Sequence, residues 1–240
     1  MNITRFTASC AAIVHLLISF HVYATSETEA VKLSYLEMEQ GIEPYRVTYT
    51  VADRFIRIDD ESDATGFIVY DIAQNRIYSV SHHSKTTLVI PKYQAEEFKP
   101  AFEIDIEYGK LDDAPGIAGK AVYNYRVRAV SGENDETCLD IQLVPGLMPE
   151  VAGSLQRFQQ VVSANQVNSL DSTPEEFRSP CYLVGLVYNV GAYYSKGLPI
   201  QEWYSNGRRR QLVNYENVSV DETLFDIPSD YRQYSPGSVR

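Results

Sequence analysis

Four stretches of this chain alternate apolar and polar residues with a period of two, and that pattern limits what the chain can become more than any motif does. Between residues 45 and 51, Tyr45, Val47, Tyr49 and Val51 share one face, while Arg46, Thr48 and Thr50 share the other. Phe102, Ile104, Ile106 and Tyr108 likewise oppose Glu103, Asp105 and Glu107. Tyr123, Tyr125 and Val127 oppose Asn124, Arg126 and Arg128, and Leu139, Ile141 and Leu143 oppose Asp140 and Gln142. Successive side chains of a strand point to opposite faces, so each stretch reads as a strand with one buried and one wet face, the habit of antiparallel sheet. Short polar bends divide such stretches at Ala52-Asp53, 59–66, Gln74-Asn75, His82 to Ser84 and 131–135. The pair Asn206-Gly207 predicts a hairpin over 199–215, with the type I′ turn that both residues can adopt.

One segment has helical spacing. Leu147, Val151, Leu155, Phe158 and Val162 recur at steps of three and four, which lays them in a single stripe, with Gln156, Arg157 and Gln160 opposite. Thr173-Pro174-Glu175-Glu176 has the form of a capping box, and Pro180 can open a further helical stretch through Leu183, Leu186, Val187 and Val190. The expected fold class is α+β, mainly antiparallel β, with these helices covering the apolar face of the sheet.

The first 24 residues hold one basic residue (Arg5), no acid, an apolar run and Val22-Tyr23-Ala24 at the end, the layout of a cleaved secretory signal peptide. A retained anchor is the alternative, although the run is short of the roughly 20 residues a span needs. Residues 25–240 are expected to form one β-rich domain, large enough to bury a core. Its charge is 20 basic minus 32 acidic residues, or −12, which argues against a nucleic-acid partner, since phosphate backbones require a positive face. Cys138 and Cys181 are the cysteines left after residue 24. In an oxidising compartment such a pair is expected to form a disulfide, with two buried thiols as the alternative.

Candidate chemistry is sparse. His82 and His83 are adjacent, so on a strand they would face opposite ways, and no third histidine lies beyond residue 24; they read as a bend rather than a metal site. The acidic run Asp59, Asp60, Glu61 and Asp63 lacks the glycine and closing glutamate of a calcium loop, with Ala64 at the glycine position. Neither a metal nor a cofactor is expected. There is no Gly-x-Ser-x-Gly elbow and no separable pair of carboxylates, so no catalytic residue is assigned. Arg208-Arg209-Arg210 reads either as a guard on an edge strand or as a contact for anionic lipid or an acidic partner. The 18 tyrosines, many on apolar strand faces, suit either a core rim or a surface that holds lipid or sugar.

Two passages carry a family resemblance. "GFIVYDIAQNRIYSVSHHSKTTLVIP" and the closing "GLPIQEWYSNGRRRQLVNYENVSVDETLFDIPSDYRQY" resemble strand-turn-strand units and the C-terminal signature of periplasmic proteins related to the outer-membrane lipoprotein carrier. The resemblance covers 45–110 and 197–234, and Asp230 stands where that signature has glycine. It implies a curved, incomplete antiparallel barrel with helices across its concave face, enclosing an apolar cavity. On this reading the chain is an exported, periplasmic protein of a Gram-negative envelope. It would be a non-catalytic carrier for a lipid, an acyl chain or a lipidated partner, the helix at 147–163 serving as a lid. Phe102, Ile104, Ile106, Tyr123, Tyr125, Leu139, Ile141, Leu155 and Phe158 are the residues expected to line the cavity. The alternative is an envelope scaffold that meets a protein partner through its acidic surface.

Overall fold

The structure is a computed structural model that describes residues 26–93, 99–132 and 134–236; the expected signal peptide falls outside them. Nine strands come first: β1 (Glu27–Met38), β2 (Tyr45–Ala52), β3 (Phe55–Asp60), β4 (Gly66–Asp71), β5 (Arg76–Ser81), β6 (Thr86–Pro91), β7 (Glu103–Lys110), β8 (Tyr123–Ser131) and β9 (Asn134–Val144). The helices α1 (Pro149–Ser169) and α2 (Pro180–Leu183) follow, and then β10 (Leu198–Tyr204), β11 (Arg209–Asp221) and β12 (Arg232–Tyr234). All twelve strands join one open sheet in the order β12-β6-β5-β4-β3-β2-β1-β11-β10-β9-β8-β7. Every pairing is antiparallel except that of β12 on β6. The strands and bends read from alternation are therefore present, but the central strand β1 is not among those that the alternation marks.

The bends follow the backbone needs of their residues. Ser81 pairs with Thr86, so His82 and His83 lie in the tip of the β5–β6 hairpin, which closes through Lys85 at φ 50°. In the Asn206-Gly207 hairpin only Gly207 has positive φ, at 86°, and its N–H donates to Tyr204 O at 2.9 Å. That is a type I turn followed by a left-handed glycine, not the type I′ turn expected from the sequence.

Three bulges shape the sheet. Each leaves one residue out of register, namely Val213 on β11, Ile200 on β10 and Cys138 on β9. A bulge bends its strand and increases its twist. Val213 and Ile200 lie where β10 and β11 part, so these two strands pair only at Gln201/Gln211, Glu202/Arg210 and Trp203/Arg209. On β9 the bulge makes Cys138 and Leu139 both buried, at 2% and 3% exposure. Cys138 would otherwise face outward with Asp140; instead it meets Cys181 on α2 in a disulfide.

The helices cover one face of the sheet, here called the inner face. α1 starts with proline in its first turn and buries Val151, Leu155, Phe158, Val161 and Ala164. α2 starts at Ser179, whose hydroxyl accepts the Tyr182 N–H, and runs on into a single π-helical turn at Val184–Tyr188. The expected capping box at Thr173 does not form: Glu175–Phe177 makes one 3₁₀ turn with no side-chain cap. No helix among the described residues is long and apolar enough to cross a membrane. The main core joins the inner faces of β1–β5 and β8–β10 to these helices. β7 is an edge strand, and Ile106 and Tyr108 are 48% and 42% exposed, so their alternation overstated their burial.

On the outer face the C-terminal segment forms a strap across β2–β6. Phe225 stacks on Phe55 at 5.5 Å, Arg57 donates to Leu224 O at 2.7 Å, and the Arg57 guanidinium lies 3.8 Å over the Phe67 ring. Ile227 and Tyr231 pack against Phe67, Val69 and Val80. The strap ends as β12 beside β6, where the Tyr231 hydroxyl meets His82 Nδ1 at 2.8 Å.

Candidate ligand cleft on the inner face

A cleft of about 410 Å³ opens between the first turns of α1 and the end of the β2–β1–β11 ladder. Register places its floor: Val31 pairs with Val51 on one side and Asn217 on the other, and Ala30 pairs with Ala52. Glu29 and Asp53 stand at the ends of these strands, while Glu150, Val151, Gly153, Ser154 and Arg157 supply the wall from α1. On this side α1 carries glycine at 153, where an added Cβ would meet nothing within 4 Å. A glycine inside a helix costs about 1 kcal/mol relative to alanine. The cleft is of mixed character, with Val31, Val51 and Val151 beside Glu29, Asp53, Glu150, Ser154, Arg157 and Asn217, in the size range of small-ligand pockets, roughly 300–1,000 Å³.

None of the nine residues expected to line a cavity borders this cleft. Tyr125, Leu139, Ile141, Leu155 and Phe158 are buried in the main core, and Phe102, Ile104 and Tyr123 are partly buried against it. Phe158 packs edge-on to Tyr70 at 5.7 Å and is 7% exposed. The stripe of α1 thus packs as core along most of its length, and the open space lies beside its first two turns. No periodicity marks that space, because it depends on where α1 crosses strands that are remote in sequence.

A second group missed by the pattern lies near the opposite end of β1. Glu37, Glu202 and Arg210 are 2%, 1% and 3% exposed on the inner faces of β1, β10 and β11. Arg210 Nη1 donates to Glu202 Oε1 at 3.3 Å. Its Nε lies 3.1 Å from Glu37 Oε1 but is not aimed at it, so that contact is electrostatic rather than a hydrogen bond. Arg208 completes the group with Nε and Nη2 at 3.1 and 3.0 Å from Glu37 Oε2. The Arg210 guanidinium also lies 3.7 Å over the Tyr35 ring. Two cations and two carboxylates neutralise one another across the narrow β10/β11 junction. Arg208-Arg209-Arg210 is therefore no edge guard, because β11 is an interior strand and Arg210 is enclosed.

Tyrosines wall this group. The Tyr204 hydroxyl donates to Glu202 Oε2 at 2.5 Å, and Tyr193 approaches the same oxygen at 3.4 Å. Burial, and then the Glu202 charge, raise the pKa values of both tyrosines well above the ordinary tyrosine value. Tyr35 donates to Pro199 O at 3.1 Å, pinning β10 to β1 across the junction. Glu37, Glu202 and Arg210 are enclosed, while the Arg208 side chain stays 37% exposed. The acidic loop is self-contained, Asp60 accepting from Ser62 and Asp63 from Thr65. A signal for the charged group was present in the sequence, since Glu37 and Glu202 continue the inward registers of Leu33-x-Tyr35 and Ile200.

No protein-family model matches the chain, and no curated protein matches it. Among solved structures, an uncharacterized conserved protein from Thermus thermophilus is similar with a TM-score of 0.41 and 7% identity, over 87% of this chain and 90% of that one. PNGF-II is similar with a TM-score of 0.41 and 9% identity, over 86% of this chain, which spans 31% of the PNGF-II chain. Similarity of this degree leaves the chemistry of the site to be read from its own residues.

Proposed function

We propose that the chain is an exported, non-catalytic binding or carrier protein for an amphipathic ligand of the lipid class. Its apolar part would lie on Val31, Val51 and Val151, and its polar part at the rim formed by Glu29, Asp53, Glu150 and Arg157. The observation that carries this reading is the cleft of about 410 Å³ beside Gly153, where valine side chains and charged groups line the same space. The resemblance to the lipoprotein-carrier superfamily supports it, as does the arrangement of an open antiparallel sheet with helices on one face.

Binding of the hydrophobic fluorophore N-phenyl-1-naphthylamine, with displacement by fatty acids and phospholipids, tests the proposal. Gly153→Leu places a side chain against the cleft from a position where an added Cβ meets nothing within 4 Å, and improves helix propensity. The variant should therefore keep its thermal midpoint and lose the probe. A stable Gly153→Leu protein that binds as before, or a wild-type protein that ignores every lipid and yields none on extraction and mass spectrometry, refutes the proposal and favours the scaffold reading.

A further inference from the structure

The outer face of β8–β11 carries side chains that the lipid reading does not use. Cross-strand register sets Asn124 of β8 beside Gln142 of β9, Gln142 beside Gln201 of β10, and Gln201 beside Gln211 of β11. Four carboxamides thus form one row across four strands. The next row runs Arg126, Asp140, Trp203 and Arg209 in the same order. With strands about 4.8 Å apart and alternate residues about 6.6 Å apart, the two rows make a patch about 14 Å by 7 Å. A shallow cavity of about 420 Å³ lies over it, lined by Leu111, Asn124, Arg126, Asp140, Gln142 and Trp203.

We propose that this patch is a saccharide-binding site for a neutral mono- or disaccharide, with Trp203 as the stacking platform and Asn124, Gln142 and Gln201 as hydrogen-bonding partners. A pyranose has an apolar face of C–H groups, which suits the negative face of an indole ring, and a rim of hydroxyls that both donate and accept. A carboxamide offers two donors and one acceptor in a plane, so it can bridge neighbouring hydroxyls. Among the described residues, neither these carboxamides nor the Trp203 indole N–H makes a hydrogen bond to the protein, so their capacity faces outward. Arg126 and Asp140 are paired through Nε and Nη2, at 3.1 and 2.5 Å from Asp140 Oδ2. The cavity lining is therefore neutral overall, with the exposed Arg209 at its edge, and the net charge of −11 on the chain favours an uncharged sugar over an anionic one. The six lining residues are half-buried, held in place yet accessible.

The chain contains one tryptophan, so its intrinsic tryptophan fluorescence reports on this patch alone. Titration with cellobiose, maltose, lactose and N,N′-diacetylchitobiose should change Trp203 emission saturably for at least one of them, and glucose should bind in preference to glucuronic acid. By calorimetry, Trp203→Ala and Gln142→Ala should each weaken that ligand at least about fivefold, the scale of one lost stacking or hydrogen-bond contact, with far-UV circular dichroism and thermal midpoint unchanged. Silence of Trp203 towards all the saccharides at tens of millimolar overturns the proposal. So does undiminished binding in both variants, or a preference for glucuronic acid. Gly153→Leu should leave saccharide binding intact, which separates this site from the lipid cleft.

Discussion

Replacing Arg210 with methionine tests whether the buried charges hold the two parts of the sheet together. Methionine has a similar length and is apolar, so the substitution removes the charge with little change in volume. Arg210 is 3% exposed and lies between Glu37 and Glu202, themselves 2% and 1% exposed. Its loss leaves two buried carboxylates, of which only Glu37 keeps a cationic partner, the part-exposed Arg208. Breaking a buried ion pair from one side costs about 3–5 kcal/mol, against a total stability of about 5–15 kcal/mol for a domain. With a urea slope of about 2 kcal/mol/M, the unfolding midpoint should fall by about 1.5–2.5 M, followed by circular dichroism and by Trp203 fluorescence. The double variant Glu202→Gln/Arg210→Met removes the uncompensated carboxylate as well and should recover at least about 1 kcal/mol relative to Arg210→Met alone. A single variant within about 1 kcal/mol of wild type, or two substitutions whose costs simply add, would show that Arg210 is only packed there.

Other consequences are open to simpler measurement. Reducing the disulfide, whose cysteines are 43 residues apart, should lower stability by about 4 kcal/mol on the chain-entropy account, read as a shift of the urea midpoint with and without reductant. Burial raises the pKa values of Tyr35, Tyr49, Tyr193, Tyr194 and Tyr204 above their unfolded value near 10, so the folded state holds protons that the unfolded chain releases. That contribution is fully present below about pH 10 and declines as pH rises past it. Absorbance at 295 nm should accordingly show a slow tyrosine phase that coincides with unfolding, and immediate ionisation of every tyrosine with native circular dichroism retained would contradict this. His83→Asn should change stability by less than about 0.5 kcal/mol. His82→Asn loses the Tyr231 contact at about 0.5–1.5 kcal/mol and should raise hydrogen exchange at residues 231–234.

Local pattern carried much of the architecture. Alternation identified β2, β8 and β9 because each presents one covered and one wet face, and the 3–4 spacing identified α1 because its stripe meets the sheet. The disulfide was legible from the count of cysteines, although the bulge that turns Cys138 inward was not. β1 escaped notice because its inward positions end in Glu37, a residue that reads as exposed unless its partners Arg208 and Arg210 are known to lie across the strand. Ile106 and Tyr108 misled in the opposite sense: their alternation is intact, but β7 is at the sheet edge beyond the helical cover. The cleft was illegible for a further reason. It lies between the first turns of α1 and strands remote in sequence, and periodicity records what is present on one element, not the gap between two.

The position of β1 also constrains how the chain can acquire its structure. Its partner on one side, β2, follows at once, but its partner on the other side is β11, with Met38 opposite Arg209, 171 residues later (209 − 38). The meander β1–β6 can zip together as it is made, whereas the β1 edge stays unpaired until almost the whole polypeptide has appeared. Pairings of such long range are slow, because loop closure must come before the contact repays it. An exposed edge is also where strands of other chains add. Refolding should therefore have a late step, independent of protein concentration, in which β11 docks. Before that step the chain should be prone to aggregation and receptive to holding chaperones, and a peptide copying residues 209–221 should delay the final phase by occupying the β1 edge first.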